Sequence, residues 1–282
     1  MEYEITNNKI IIPHPTDFNI KHICDCGQMF RYEDKKTNFA VKSSNFEAIV
    51  YENDKKSVII ESKNIKYYEK YFDLATDYGI IKSKLMKTPI LARAISFGYG
   101  IRIANQDLLE MIVSFIISAN NNIPRIKRTL NLLCENFGEK CENYFAFPTL
   151  QALKQVTKDD FLKFGCGYRA QYLVDTITSL SYEKLDYLEN IDDLNAKAEL
   201  LKMKGVGEKV ADCIMLFGLG RKKVFPVDVW MSRVCDDYFD LIGVSRPQKS
   251  KLMCKKFGDL SGYAQQYLFY YKREMKENYN GK

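Results

Sequence analysis

Histidine is scarce in this sequence and long apolar runs are absent, and each shortage excludes a kind of protein. The 282 residues include only two histidines, His14 and His22, so neither histidine-based catalysis nor a histidine-rich metal site is expected. No segment approaches the ~18–20 apolar residues that a membrane-spanning helix requires. The first residues also lack the basic and then apolar pattern of a signal peptide. We therefore expect a protein that has no membrane partner and stays in the cytoplasm.

The eight cysteines are scattered along the chain. Cys24 and Cys26 are too close together for a usual zinc site, and no second pair follows to complete one. In a chain of this length without a signal peptide, scattered cysteines are typical of reduced thiols and not of a disulfide framework. A metal site made of side chains is therefore not expected.

Hydrophobic residues make up 46% of the sequence, which is enough for a full core divided into two or three subdomains. The formal net charge of +6 is unevenly spread. Between Arg246 and Lys282 there are nine lysines and arginines and three acidic residues, an excess that equals the net charge of the whole chain. A basic segment suits contacts with phosphate groups, and a solvated helical surface explains it equally well.

The first hundred residues have the pattern of a twisted antiparallel sheet. Short β-branched or alternating runs, separated by polar residues, predict strands at residues 9–12, 38–42, 47–51 and 57–61. A short helix is predicted near residues 19–24 and a further strand at residues 27–33. We assign residues 1–100 to this N-terminal subdomain.

The period of the apolar residues becomes helical from about Asn105, and residues 101–282 are assigned to an all-helical region. Residues 106–118 are apolar nearly all round, which predicts a central buried helix. Asn122, Pro124 and Gly138 mark the start and end of the next one. Further helices are predicted at residues 168–180, 192–203, 208–218, 228–239, 247–257 and 261–276. The predicted fold class is α+β.

The most informative segment is the turn Gly205-Val206-Gly207, which with its flanking helices forms a helix–hairpin–helix motif at about residues 193–220. Such a hairpin exposes backbone N–H groups at a helix start, where a phosphate oxygen can bind. Lys209 lies in the first turn of the second helix. Its amine is a candidate nucleophile; alternatively, it is a surface lysine that pairs with Asp212.

Asp228 follows Pro226 at the predicted start of a later helix. An aspartate that caps a helix stabilises it by roughly 0.5–2 kcal/mol. The same carboxylate can stabilise positive charge that develops on a sugar when its base departs. The two roles are compatible.

Two polar segments are candidate nucleic-acid contacts. Ser118 to Arg125 contains three consecutive asparagines, which suit an ordinary loop or the gap left by an extruded nucleotide. Tyr168 and Arg169 provide an aromatic wedge and a guanidinium donor.

Six segments, taken in order, resemble the 8-oxoguanine DNA glycosylase family of helix–hairpin–helix base-excision enzymes. The match runs from about residue 15 to residue 275 and rests on the sequences CGQMFR (26–31), SANNNIPR (118–125), GCGYRA (165–170), KGVGEKVADC (204–213), VFPVDV (224–229) and GYAQQYLF (262–269). The resemblance implies an N-terminal antiparallel sheet like half of a TATA-binding-protein fold. It also implies a two-lobed helical region with the active site between the lobes.

The family's chemistry assigns roles to two residues. Lys209 matches the lysine that attacks the sugar C1′, displaces the damaged base and forms a Schiff base, from which β-elimination cleaves the strand. Asp228 matches the aspartate that stabilises the charged sugar. The implied activity is that of a bifunctional DNA glycosylase and apurinic/apyrimidinic lyase, acting on double-stranded DNA that contains 8-oxoguanine, and the implied setting is the nucleoid.

The resemblance also implies a pocket for the flipped base. Gly27 matches the glycine whose carbonyl accepts the N7–H that distinguishes 8-oxoguanine from guanine. Gln265 matches the amide that contacts the Watson–Crick edge, and Cys213 and Phe269 match the residues on either side of the base. Phe217 is assigned to the same pocket.

Other matched residues are expected to contact the DNA. Those near the estranged cytosine and the kinked duplex are Asn120, Arg125, Tyr168 and Arg169, and those near the phosphates are Gly205, Gly207 and Trp230. Because Arg125 is retained, we expect a preference for cytosine opposite the lesion. Trp230 stands where better-known members have a phosphate-contacting histidine, while Tyr263 replaces a tryptophan and Met29 a serine.

No cofactor is expected to be needed for catalysis. After Cys213 only Cys235 and Cys254 remain, too few for the iron–sulfur cluster of endonuclease III relatives. In the family the hairpin carbonyls can hold a cation, and here those of Leu201, Met203 and Val206 are candidates for Na⁺, K⁺ or Ca²⁺. A monomer is expected.

Two alternatives remain open. One is a helix–hairpin–helix glycosylase for alkylated or other damaged bases, which would use the aspartate without a catalytic lysine. The other is a non-catalytic DNA-binding protein that uses the hairpin only to hold a phosphate.

Overall fold

The computed structural model describes the backbone of residues 1–280 and the side chains of residues 1–275. An antiparallel sheet comes first, with the strand order β1-β2-β6-β5-β4-β3. Its strands are β1 (Glu4–Thr6), β2 (Lys9–Ile12), β3 (Tyr32–Asp34), β4 (Phe39–Ser43), β5 (Phe46–Glu52) and β6 (Val58–Glu61). In the centre of the sheet, Ile60 lies opposite both Ile10 and Val50, and all three are fully buried. Residues paired across strands lie on the same face of the sheet, and this face is therefore apolar.

The helices account for most of the remaining chain. Their bounds are α1 (Ile20–Asp25), α2 (Ile65–Tyr71), α3 (Tyr78–Leu85), α4 (Pro89–Phe97), α5 (Leu108–Ser118), α6 (Ile123–Phe137), α7 (Leu150–Leu153), α8 (Lys158–Lys163), α9 (Arg169–Ser179), α10 (Tyr182–Asn190), α11 (Asp193–Leu201), α12 (Glu208–Phe217), α13 (Val229–Phe239), α14 (Arg246–Phe257) and α15 (Ser261–Asn280). No helix in the described part of the chain combines the length and the apolar character of a membrane span.

Helix α5 is the centre of the helical region. Ten of its residues are buried, and it packs against α6, α9 and α12. Asp107 caps its start by accepting from the Glu110 backbone N–H, and Asn122 caps α6 by accepting from that of Arg125. Because α5 contacts α9 and α12, it brings the polar segment that follows it close to the hairpin.

Two apolar cores are joined through residues 26–31. One core lies between the sheet and α1 and α2, and the other lies among the later helices. Arg31 forms a buried ion pair with Glu110 at 3.1 Å and donates to the Phe145 carbonyl at 2.7 Å. Gln28 bridges the Arg102 carbonyl and the Ala104 N–H. The segment between α1 and β3 is therefore fixed from both sides.

The predicted fold class is confirmed, and the eight long helices predicted after residue 105 all occur. The strand predicted at residues 27–33 is wrong except for Tyr32 and Glu33, because Gln28 and Arg31 use their polar groups in the junction and the backbone there leaves the sheet. The sequence analysis also missed β1 and the helices α2, α3, α4, α7, α8 and α10. In α2, Tyr68 and Tyr71 lie on one helical face and are buried against the sheet, although their β propensity resembles that of strand residues.

Candidate active site

The hairpin between α11 and α12 has the geometry of a phosphate site. Gly205 adopts φ +81°, and a methyl group there would meet Tyr172 Cβ at 2.8 Å, so only glycine fits. Thr176 Oγ1 donates to the Lys204 carbonyl at 2.8 Å and fixes the turn to α9. Gly207 is the N-cap of α12 and has no side chain to cap it, and no atom lies within 4 Å of the position of a Cβ there. The first N–H groups of α12 are thus available to an anion.

Lys209 is half-buried in the first turn of α12. Its Nζ lies 5.3 Å from the centre of the Phe115 ring, which stacks on Phe217 at 5.6 Å. Asp212, the alternative ion-pair partner considered for Lys209, instead binds Lys197 Nζ at 2.7 Å and accepts from Ser250 at 3.2 Å. Among the described residues, Lys209 forms no ion pair within 4 Å, and its amine lies over the Phe115 ring.

Asp228 is the N-cap of α13, and its carboxylate accepts from the Met231 backbone N–H at 2.8 Å. The same carboxylate lines a small cavity together with Lys209. This cavity is lined by seven residues to which the sequence analysis gives a catalytic or base-binding role: Gly27, Lys209, Cys213, Phe217, Asp228, Gln265 and Phe269. Its volume of about 40 Å³ corresponds to a few water molecules and not to a purine.

The wall of the cavity at Gly27 is held rigidly. Gln266 Nε2 donates to the Cys26 carbonyl at 2.6 Å, and Gln106 Nε2 donates to the Gln28 carbonyl at 2.8 Å. Gly27 itself has φ +80°, and a methyl group on it would lie 2.9 Å from Phe269 Cε1. The backbone conformation therefore favours glycine, which also leaves room for the Phe269 ring beside it.

Two further groups face the cavity. Burial raises the pKa of the Cys213 thiol to about 11, so this side chain is protonated at neutral pH. Gln265 is 6% exposed, and its Oε1 has no hydrogen-bond partner in the described structure. An unpaired buried carbonyl is costly, by roughly 1–3 kcal/mol. Gln265 is therefore prepared for a donor that enters the cavity.

Asn120 and the start of α9 form one unit beside the hairpin. Asn120 has φ +51°, a left-handed conformation that asparagine tolerates better than most residues. Arg169 donates to the carbonyls of Ala119 and Asn120, both at 2.6 Å, and to that of Cys166 at 3.2 Å. Tyr168 is 57% exposed beside them, and Arg125 is exposed one turn into α6.

Arg169 was predicted to donate to DNA, but in this structure its guanidinium group donates to the protein backbone. It is 6% exposed, and all three nitrogens of its guanidinium group bond backbone carbonyls. In the protein without DNA it therefore positions the Asn120 loop. Its direct contact with DNA remains a prediction.

Trp230 is the second residue of α13, two positions after Asp228, and the Arg233 guanidinium lies 5.4 Å from its ring centre. At the hairpin, the Met203 carbonyl accepts from the Val206 N–H at 3.2 Å. Among the described residues, no cluster of histidine, cysteine or carboxylate side chains has the arrangement of a metal site. A cation held by carbonyls remains a prediction.

A larger cavity, with a volume of about 720 Å³, lies elsewhere, between the β4–β5 turn, α5 and α10. It is lined by Asp107, Glu139 and Glu189 among others, and none of the predicted site residues contributes to it. Its size alone does not make it the candidate active site, because Lys209 and Asp228 line the smaller cavity.

Sequence reasoning missed three residues at the active site. Phe115 was assigned only to a buried helix, Gln266 was passed over beside Gln265, and Arg273 was counted only as surface charge. The position of Gln266 next to a predicted contact residue was an available signal. Phe115 and Arg273 gave none, because only the fold brings them to Lys209 and Gly27.

Two sequence profiles match the chain in succession. One is described as the 8-oxoguanine DNA glycosylase N-terminal domain and matches residues 10–112, and the other as the HhH-GPD superfamily of base excision DNA repair proteins and matches residues 113–258. Among curated proteins, the N-glycosylase/DNA lyase of Saccharomyces cerevisiae is 28% identical over 89% of this chain and 82% of its own length. The N-glycosylase/DNA lyase OGG1 of Arabidopsis thaliana is 33% identical over 60% of this chain and 51% of its own length.

Among solved structures, the 8-oxoguanine glycosylase/lyase of Clostridium acetobutylicum, in complex with double-stranded DNA containing cytosine opposite 8-oxoguanine, is 38% identical to this chain. The similarity covers 98% of this chain and 99% of that one, with a TM-score of 0.92.

Proposed function

Since this chain belongs to the 8-oxoguanine DNA glycosylase family of helix–hairpin–helix base excision repair enzymes and is an N-glycosylase/DNA lyase, we propose that it excises 8-oxoguanine through a Schiff base on Lys209. The observation that carries the proposal is the single cavity lined by Lys209, Asp228, Gly27 and Gln265. These residues lie far apart in the sequence, and each has the chemistry that its role requires.

The reaction begins with the Lys209 amine. Its lone pair forms a bond to the sugar C1′ as the glycosidic bond breaks, and the electrons of that bond leave with the base, which takes up a proton. The Asp228 carboxylate stabilises the positive charge that develops on the sugar. The sugar ring then opens to give the Schiff base. Loss of a proton from C2′ expels the 3′ phosphate by β-elimination.

Base selection depends on the hydrogen at N7. The Gly27 carbonyl accepts this hydrogen from 8-oxoguanine, whereas guanine presents a lone pair there and leaves the carbonyl unpaired. Gln265 pairs its free Oε1 with the Watson–Crick edge. Cys213 and Phe269 lie on the two faces of the base. Because the cavity is smaller than a purine, Phe269 moves aside as the base enters.

Selection of the opposite base depends on the loops outside the cavity. Asn120 and Tyr168 fill the gap left by the extruded nucleotide, and Arg125, exposed at the start of α6, donates to the estranged cytosine. The hairpin at Gly207 holds a DNA phosphate at the start of α12.

Borohydride trapping tests the proposal. Incubation of the protein with an 8-oxoguanine:cytosine duplex and borohydride is expected to give a covalent protein–DNA adduct, because the reagent reduces the Schiff base to a stable amine. The Lys209→Gln variant is expected to give none. Lys204→Gln is the matched control, since this exposed lysine lies on the same hairpin and should leave trapping unchanged.

Either of two other results of the trapping experiment would contradict the proposal. Base release without an adduct would identify a monofunctional glycosylase, and DNA binding without either would identify a non-catalytic module. In the same assay with cytosine or adenine opposite the lesion, Arg125→Ala is expected to reduce the cytosine:adenine rate ratio. An unchanged ratio would show that Arg125 does not select the opposite base.

A further inference from the structure

Helix α15 carries three residues on one face at intervals of four. Gln265 and Phe269 line the cavity, and Arg273 follows one turn later behind this lining, beside Phe269. Residues four apart lie on the same helical face. The guanidinium carbon of Arg273 is 5.8 Å from the centre of the Phe269 ring.

The guanidinium group of Arg273 is fixed by its surroundings. Nε and Nη2 bond Glu274 Oε1 at 3.2 and 2.8 Å, and Nη2 also donates to the Asp25 carbonyl. The Asp25 carboxylate is held in turn by the Tyr32 hydroxyl at 2.9 Å and by Lys21 Nζ at 2.7 Å. The orientation of the third nitrogen, Nη1, follows from these contacts because the group is planar.

Nη1 is buried and has no hydrogen-bond partner within the described structure. It lies 3.1 Å from the position that a methyl group on Gly27 would occupy. Because the atom is shielded from solvent, a DNA phosphate on the surface does not reach it. Its natural partner is an acceptor on a group that enters the cavity beside Gly27.

We propose that Arg273 Nη1 donates a hydrogen bond to the oxygen at C8 of the oxidised purine and is thus a second specificity-determining contact; this rests on the proposed function. In 8-oxoguanine a donor, N7–H, and an acceptor, the C8 oxygen, lie on neighbouring atoms. The Gly27 carbonyl supplies the complementary acceptor, and Arg273 Nη1 supplies the donor once Phe269 has moved aside for the base. Guanine has a lone pair at N7 and a C–H at C8, and so it satisfies neither group.

The test compares two bases in the same protein. 8-Thioguanine keeps the N7–H but carries sulfur, a weaker acceptor, at C8. Single-turnover base release is measured opposite cytosine for both bases with the wild type and with Arg273→Met, which preserves much of the apolar stem. Removal of a charge-assisted hydrogen bond is expected to slow release of 8-oxoguanine by roughly 10- to 100-fold and to reduce the oxygen-over-sulfur rate ratio by a similar factor.

The ratio distinguishes a contact with the base from a structural role, because partial unfolding lowers both rates equally. Lys272→Gln is the control, since this neighbour of Arg273 on α15 pairs with Asp237 at 2.7 Å and not with the cavity residues, and it should keep the wild-type ratio. An active Arg273→Met variant with the wild-type ratio would overturn the inference alone. A wild-type protein that releases no 8-oxoguanine would overturn the proposed function.

Discussion

At the scale of single residues, the proposed mechanism gives the Asp228 carboxylate both a structural and a chemical task. One oxygen accepts from the Met231 N–H at 2.8 Å and caps α13, and the group also lines the cavity with Lys209. The cap fixes the orientation of the carboxylate, so that its charge is in place before the sugar arrives.

Substitutions at Asp228 should separate these tasks. Asp228→Asn keeps an acceptor for the cap but loses the charge, so we expect a free energy of unfolding close to that of the wild type and a rate of base release lower by on the order of 100-fold. Asp228→Ala should additionally lose roughly 0.5–2 kcal/mol of stability. Urea denaturation and single-turnover kinetics measure the two effects. Equal stability losses in both variants would show that the charge, and not the cap, stabilises the helix.

Local motifs made part of the site predictable. Gly205, Lys209 and Asp228 lie in short segments whose turn and capping chemistry can be recognised without a structure. Phe115 and Arg273 were missed because their roles depend on contacts with residues about a hundred or more positions away. Lys209 was left with two alternatives on spacing alone, since nothing local shows that Lys197 is the partner of Asp212.

At the scale of elements, the hairpin uses its two glycines differently. Gly205 has φ +81° and touches Tyr172, whereas Gly207 has φ −95° and open space around it. The first glycine shapes the turn, and the second leaves room in front of the α12 N-terminus.

Alanine at each glycine should therefore give opposite results. Gly205→Ala is expected to lower the free energy of unfolding by roughly 1–3 kcal/mol, because strain and a clash coincide. Gly207→Ala should change stability by less than about 1 kcal/mol yet weaken DNA binding, since the methyl group fills the space offered to a phosphate. Thermal denaturation and a fluorescence binding titration distinguish these outcomes. A Gly207→Ala protein with full DNA affinity would count against the phosphate site.

Helix prediction was most accurate where the local signal was strong: α5 is apolar nearly all round, and Asn122 and Pro124 mark the start of α6. It failed for α2, α3 and α4, where no element was predicted, and for the shorter helices α7, α8 and α10. Residues 27–31 were wrongly predicted as strand. The sequence did not show that Gln28 and Arg31 bond distant elements, which hold this segment outside the sheet.

At the scale of the whole molecule, one buried ion pair is among the contacts that join the sheet to the helical region. Arg31 and Glu110 are each about 3% exposed and join the segment before β3 to α5. Glu110 also accepts from the Ser44 N–H at 2.7 Å, so three parts of the chain meet at its carboxylate.

Glu110→Gln should accordingly destabilise the protein by roughly 3–5 kcal/mol, because it leaves the Arg31 charge buried and unpaired. Glu52→Gln is the matched control: it removes an exposed pair with Lys56 and should cost no more than about 1 kcal/mol. Urea denaturation followed by circular dichroism measures both. Equal effects of the two substitutions would show that the buried pair does not couple the two cores.

The loop fixed by Arg169 has a consequence for how the enzyme meets its substrate. Asn120 holds its unusual backbone geometry before any duplex is present, so the entropy of ordering this loop is lost during folding and not during association. In the proposed complex this loop is therefore preorganised, and most of the deformation on binding occurs in the double helix, where a weakened base pair yields more readily than an intact one.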